Sequence, residues 1–135
     1  MRIAVVGATG RIGAKLTRTL LSAGHQVKAL SRGGPALDAL VKIGAEPVIG
    51  SFDTGAGELD RFFQDADAAF LMVKTDWNNI HQHYPVVAQR FVDALSQSPV
   101  KLAVSLSALG SDVNGKTGHS ECFYILDEKL NELSN

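Results

Sequence analysis

Apolar positions along this chain come in short continuous runs separated by stripes at helical spacing. Arg2 to Val6 is a β-branched run closed by Gly7. Its hydrophobicity is continuous and not alternating, which reads as a strand buried on both faces. Beyond a glycine-rich turn, Ile12, Leu16 and Leu20 recur at helical spacing, and Gly24 supplies a stop. Gln26 to Leu30 reads as a second strand, Ser31-Arg32-Gly33-Gly34 as a loop, and Pro35 as a first-turn helix residue. Leu37, Leu40 and Val41 give a second helix a narrow apolar face, Gly44 ends it, and Glu46 to Ile49 forms a third strand. Leu59, Phe62 and Phe63 mark a third helix, and Asp67 to Val73 a fourth strand. A polar loop from Lys74 to Ile80 carries Asp76, Trp77, Asn78 and Asn79. Tyr84, Val87, Ala88, Phe91 and Leu95 build a long amphipathic fourth helix closed by Ser98-Pro99. Lys101 to Leu106 supplies a fifth strand. After a loop from Ser107 to Ser120, rich in Gly, Ser and Asn, Phe123, Leu126, Leu130 and Leu133 form the stripe of a last helix.

Strict alternation of strands and helices predicts an α/β fold, a doubly wound parallel sheet of Rossmann type with helices on both faces. The expected strand order is 3-2-1-4-5. At 135 residues the chain is the size of one domain, residues 1–135, and no internal repeat or low-complexity tract divides it. A complete dinucleotide fold continues to a sixth strand, whereas this chain stops at Asn135 just after a helix. The expectation is that the carboxyl-terminal, substrate-binding part is missing.

Hydrophobic residues at 45% and charged residues at 20% exclude a disordered or fibrous chain. A net charge of −1 excludes global attraction to nucleic acid or to an anionic membrane, so anion binding has to come from a local site. The single Cys122 cannot form an internal disulfide, and the amino terminus enters a strand with no basic region and apolar signal core. A reducing, cytoplasmic setting is expected. The longest apolar stretches, such as Ala66 to Val73, are far too short to span a bilayer.

The chemistry concentrates in Gly7-Ala8-Thr9-Gly10-Arg11-Ile12-Gly13, between the first strand and the first helix. Unpaired N–H groups and the helix dipole make a helix amino end a seat for the pyrophosphate of a dinucleotide. Gly7 permits the tight turn, Gly10 removes the Cβ that would block the phosphates, and Gly13 lets the helix approach the sheet. Thr9 adds a hydroxyl donor to the turn or the phosphate. Cofactor choice is read at the end of the second strand, where an Asp or Glu would bind the ribose hydroxyls of NAD. That position reads Leu30-Ser31-Arg32, and no acid intervenes between the glycine turn and Asp38. Arg32, with Arg11 as a second arm, suits a 2′-phosphate, which predicts NADP over NAD.

The string GATGRIG after an amino-terminal strand resembles the atypical, or extended, short-chain dehydrogenase/reductase proteins, especially their NmrA-like branch. Ala68 to Val73 resembles that branch's fourth strand, Val104-Ser105-Leu106-Ser107-Ala108-Leu109-Gly110 its fifth strand and following turn, and Asp127-Glu128-Lys129-Leu130 a stretch of its last helix. The resemblance covers the whole chain but only the amino-terminal part of the family's usual length. It implies that Gly7, Thr9, Gly10, Arg11 and Ile12 line the pyrophosphate and Arg32 the adenosine phosphate. It also implies that Ser51 and Phe52 approach the adenine edge, and Met72, Val73 and Lys74 the middle of the cofactor. Where the family often has Gly-Asp after the third strand, this chain has Gly50-Ser51, a departure at the adenine contact.

Many members of that superfamily use Tyr-x-x-x-Lys, in which lysine lowers the tyrosine pKa for proton exchange. Here Tyr124 and Lys129 are five positions apart, which does not put them on one helical face. The candidates for catalysis are Lys129, Tyr124 and Ser107, with packing the alternative role for Tyr124 and a solvated helix charge that for Lys129. Ser105 and Ser107, at the end of the fifth strand, suit contact with nicotinamide or substrate, or ordinary hydrogen bonding to backbone. His81 and His83 are two apart and His119 stands alone, so no metal site is expected. Trp77 reads as closing over a flat ligand or as pinning its loop to the surface. The function expected is NADPH-dependent reduction of small carbonyl or quinone-like substrates. The alternatives are a non-catalytic redox sensor that acts on a regulatory protein partner, and an inactive homologue. A homodimer across the exposed edge of the fifth strand is also expected.

Overall fold

Among the described residues ten elements alternate: β1 (Arg2–Val5), α1 (Arg11–Ser22), β2 (Gln26–Ser31), α2 (Pro35–Val41), β3 (Glu46–Ile49), α3 (Ala56–Phe63), β4 (Ala68–Leu71), α4 (Ile80–Ser96), β5 (Leu102–Ser105) and α5 (Ser120–Asn131). The computed structural model describes residues 1–52, 56–113 and 120–133. His119 and most of the second half of the loop that ends at Ser120 lie outside the described residues. The five strands form one sheet in the order β3-β2-β1-β4-β5, every pair parallel, as the alternation of elements predicts.

Parallel neighbours need crossovers, and the crossover helices cover the two faces with separate cores. On one face Val5, Val27 and Ala29 pack with Leu37 and Leu40 of α2 and with Leu16, Leu20 and Leu21 of α1. On the other, Ala4, Ala69 and Leu71 meet Leu59, Phe62 and Phe63 of α3, Tyr84 to Leu95 of α4, and Cys122 and Leu126 of α5. Two residues assigned to apolar stripes lie outside: Ile12 is 47% exposed and Val41 40% exposed. Their helices face the sheet instead through Gly13 and Thr17 of α1, small residues that allow close approach, and through Leu37 and Leu40 of α2.

Strand ends also differ from the apolar runs. β4 stops at Leu71, although the run continues to Val73, because pairing ends where Val5 and Ser105 end on its neighbours. β2 gains Ser31, which pairs with Ile49. At the amino ends of the strands, the buried Lys28 ammonium is 2.5 Å from Asp65 and 3.2 Å from the Arg61 carbonyl, above the Phe62 ring. Arg2 joins the same cluster through Asp65 and Glu46. The Lys28 hydrogen bond, with the Lys28 and Arg2 charges, holds the Asp65 carboxyl below its ordinary value despite some desolvation. This cluster ties β1, β2 and β3 together at the edge opposite the glycine turn. Among the described residues no helix is long and apolar enough to cross a membrane.

Candidate functional site

The carboxyl ends of the strands, where open parallel sheets place their ligands, carry the glycine turn. Val6 donates to the Phe70 carbonyl at 2.9 Å, so the chain leaves the sheet only at Gly7, whose φ of +68° suits glycine. A Cβ on Gly7 would stand 2.7 Å from Met72 Sδ. Gly10 N–H donates to Gly7 O at 3.0 Å and closes the turn. A Cβ on Gly13 would stand 2.1 Å from Gly7 O, an overlap with backbone that cannot relax by side-chain rotation. Gly7 and Gly13 thus serve a tight turn and a close helix contact. No side chain caps α1 at Gly10 and its first turn has no acid. Its leading amides therefore have no capping side chain, and such amides suit an anion.

The end of β2 is bound to this turn. Ser31 Oγ lies 3.2 Å from Thr9 Oγ1 and accepts from Gly33 N–H at 3.3 Å. The Thr9 hydroxyl thus joins the turn to the end of β2. Arg32 follows directly and is exposed, ahead of Gly33 and Gly34, both at positive φ. Among the described residues, Arg11 and Arg32 make no ion pair or side-chain hydrogen bond within the chain.

At the end of β3, Gly50 N–H donates to Ser31 O at 3.0 Å and Ser51 N–H to Glu58 Oε2 at 3.2 Å. A Cβ on Gly50 would stand 2.6 Å from that same oxygen, so the glycine makes room for it. Glu58 was not singled out from sequence. Its signal was the Gly50-Ser51 departure: a carboxylate absent from the strand end is supplied there by α3. Phe52 belongs largely to the core, with its ring 6.1 Å from Phe91 and 6.4 Å from His83, and its carbonyl accepts from Arg90 at 3.2 Å.

Beyond β4, Met72 covers Gly7, Val73 is buried and Lys74 is exposed. A cleft of about 540 Å³ opens between this segment and α4, lined by Lys74, Asp76, Asn79, His83 and Arg90 among others. Asp76 accepts from Asn78 N–H at 3.1 Å and Asn79 Nδ2 at 3.2 Å. Hydrogen bonds from Asn79 and Asn78 hold its carboxyl below the ordinary value. His83 is half-buried and His81 exposed, on the same helix. Trp77 is 73% exposed. Tyr84 is buried in the core with its hydroxyl 3.2 Å from Thr75 Oγ1, and burial pushes its phenol up.

At the end of β5 the catalytic candidates are tied into local networks. Asp127 of α5 accepts from Ser105 at 3.0 Å, Ser107 at 2.5 Å and Ser111 at 3.1 Å. Both serines therefore bond a carboxylate and not only backbone, a convergence that spacing alone did not reveal. Tyr124 lies on α5, where burial and the charge and hydrogen bonding of Glu128 push its phenol up, opposite to the shift a proton-exchanging tyrosine needs. Lys129 is 3.5 Å from Glu132, one turn on. The structure does not bring Tyr124 and Lys129 into contact.

Solved structures share this architecture. Triphenylmethane reductase from Citrobacter sp., complexed with NADP(H), matches with a TM-score of 0.82 and 19% identity over 99% of this chain and 46% of its own. The NADPH-dependent quinone oxidoreductase of Escherichia coli, complexed with NADPH, matches with a TM-score of 0.79 and 19% identity over 96% of this chain and 44% of its own. The negative transcriptional regulator NmrA matches with a TM-score of 0.79 and 21% identity over 98% of this chain and 42% of its own. The chain thus spans less than half the length of each, and at these identities what is shared is the fold. NmrA stands among the neighbours, in keeping with the resemblance carried by the glycine turn. No curated protein sequence matches the chain. A family model described as NAD(P)H-binding matches residues 7–132, from the first glycine of the turn to the residue after α5, and the chain belongs to this family.

Proposed function

We propose that residues 1–135 form a dinucleotide-binding domain that takes NADP in preference to NAD and serves the NADPH-dependent reduction of small carbonyl or quinone-like substrates. The observation that carries the cofactor preference is Arg32. It follows Ser31, whose hydroxyl holds the end of β2 on the glycine turn, and no acid follows it in the sequence before Asp38. The amides at the start of α1 suit the pyrophosphate, Gly10 leaves its approach open, and Arg32 with Arg11 suits the 2′-phosphate. Ser51 is assigned to the adenine side, and Met72, Val73 and Lys74 to the middle of the cofactor. The bound nicotinamide would supply the hydride, while the protein orients it. A cytoplasmic setting suits the single buried thiol of Cys122.

Calorimetric titration with NADPH, NADH and both oxidised forms tests the preference. One charge-assisted hydrogen bond to the phosphate contributes about 1.5–3 kcal/mol, so NADPH should bind roughly 10- to 100-fold more tightly than NADH. Arg32→Asp should abolish or reverse that ratio. Equal affinities in the wild type, or an unchanged ratio in the variant, would remove the assignment.

A second reading, a redox sensor acting on a protein partner, is favoured by the local networks at β5 and α5. Tyr124 is engaged by Glu128, Lys129 by Glu132, and Ser105 and Ser107 by Asp127. NADPH oxidation measured across quinones and aldehydes separates the two, since a sensor binds the cofactor without turnover.

A further inference from the structure

The carboxyl end of β3 carries a carboxylate that the strand itself does not supply. Glu58, in the first turn of α3, reaches back seven positions and accepts from Ser51 N–H at 3.2 Å. The same oxygen stands 2.6 Å from where a Cβ on Gly50 would be, and the carboxyl carbon 3.4 Å from it. Leu30 of β2 is 3.5 Å from that point, so the carboxylate sits where β2 and β3 end together. Glu58 is nonetheless exposed, and a ligand on the carboxyl edge of the sheet can reach it. On the reading proposed above, a dinucleotide laid on this edge follows the strand order. Its pyrophosphate lies at the amides of α1, after β1, and its 2′-phosphate at Arg32, after β2, so the adenosine ribose lies over the end of β2. The 5′ carbon leads back to α1. The base, on the ribose carbon next to the one that bears the phosphate, is left the side toward β3, one strand spacing or about 4.8 Å on. Arg32 is one residue beyond the register pair of Ser31 and Ile49, and Gly50 N–H donates to Ser31 O at 3.0 Å. Gly50 thus stands beside Arg32, with the Glu58 carboxylate against it.

We propose that Glu58 is the residue that selects adenine in the dinucleotide, its carboxylate accepting a hydrogen bond from the 6-amino group of the base. The inference rests on the dinucleotide reading and adds a specificity-determining residue to that same site. Adenine presents an N–H donor at position 6, whereas hypoxanthine presents a carbonyl oxygen there. An ionised carboxylate is an acceptor only, so it bonds the amine and repels the oxygen. To bond the carboxylate, hypoxanthine has to offer its N1–H, one atom further round the ring, with the carbonyl oxygen beside it. Ser51 N–H holds one carboxylate oxygen at the strand end, and Gly50 leaves the room for it, so the acceptor is fixed in place before the base arrives.

Calorimetric titration of the chain with NADPH and with its hypoxanthine analogue compares two ligands that share every phosphate and the nicotinamide. The wild type should favour NADPH by roughly 10- to 100-fold, the effect of one charge-assisted hydrogen bond. Glu58→Gln keeps an acceptor for Ser51 N–H and can turn an amide N–H toward the oxygen of hypoxanthine. It should leave the urea midpoint close to that of the wild type and bring the two affinities within about threefold of each other. The NADPH-to-NADH ratio, which reads Arg32, is measured on the same samples, so the two assignments fail separately. Equal affinity of the wild type for both bases, or a Glu58→Gln variant that keeps the wild-type base ratio whatever its stability, would overturn the role of Glu58 while the NADP preference stands. A wild type that binds neither ligand would overturn both.

Discussion

Substituting alanine at Gly13 and at Gly10 separates two requirements that the glycine turn combines. At Gly13 the added Cβ would stand 2.1 Å from Gly7 O, where contacts under 3.0 Å are essentially never seen, so α1 has to withdraw from the turn by about 0.9 Å. Overpacking of this kind costs about 1–3 kcal/mol, and a rigid backbone oxygen puts it at the upper end. Alanine in place of glycine inside a helix returns about 1 kcal/mol. The net loss is about 2 kcal/mol, which lowers the urea midpoint by roughly 1 M for a domain with an m-value near 1.5–2 kcal/mol/M. At Gly10 the backbone is already extended, with φ −74° and ψ 173°, and the Cβ would be 3.2 Å from Gly7 O, a contact that eases with a small adjustment. Gly10→Ala should therefore shift stability by less than about 1 kcal/mol. It places a methyl group where the pyrophosphate has to approach the α1 amides, and should weaken NADPH binding by about 10- to 100-fold. Urea unfolding followed by far-UV circular dichroism, with calorimetric NADPH titration of each variant, makes the comparison. A Gly13→Ala variant with an unshifted midpoint would refute the packing reasoning. Wild-type NADPH affinity in Gly10→Ala would refute the placement of the pyrophosphate.

Two further changes address the network behind the site and the opposite edge of the sheet. Ser31→Ala removes the hydroxyl that joins β2 to Thr9 and Gly33, and should cost about 1 kcal/mol of stability while lowering NADPH affinity several-fold more than NADH affinity, as paired titrations would reveal. Asp65→Asn should destabilise the fold at pH 7 by about 1–2 kcal/mol, a charge-assisted bond discounted because Asp65 is about half exposed. The folded-state pKa of Asp65 lies below its ordinary 3.8. Its contribution is therefore fully present above that value and is lost as the pH falls through the folded pKa. Unfolding curves of wild type and Asp65→Asn should accordingly converge as the pH falls progressively below 3.8, and a gap that persists unchanged at the lowest pH at which both fold would contradict the assignment.

The sequence by itself determined the order and type of all ten elements, the sheet order and the glycine turn. Each of these rests on local information: the period of the apolar positions, the breakers between them and the handedness of crossovers. It also exposed Arg32 as the residue next to the end of β2, because one strand and one turn fix that placement. What only the tertiary structure decided depends on groups far apart in the chain. Glu58 reaches Ser51 from the next helix, Thr9 meets Ser31 across 22 positions, and three serines converge on Asp127 from up to 22 positions away. Spacing along one element cannot reveal such encounters, because they are set by how helices sit on the sheet. The exposure of Ile12 and Val41 has the same cause: periodicity marks a helical stripe, but close packing chooses which edge of it meets the sheet.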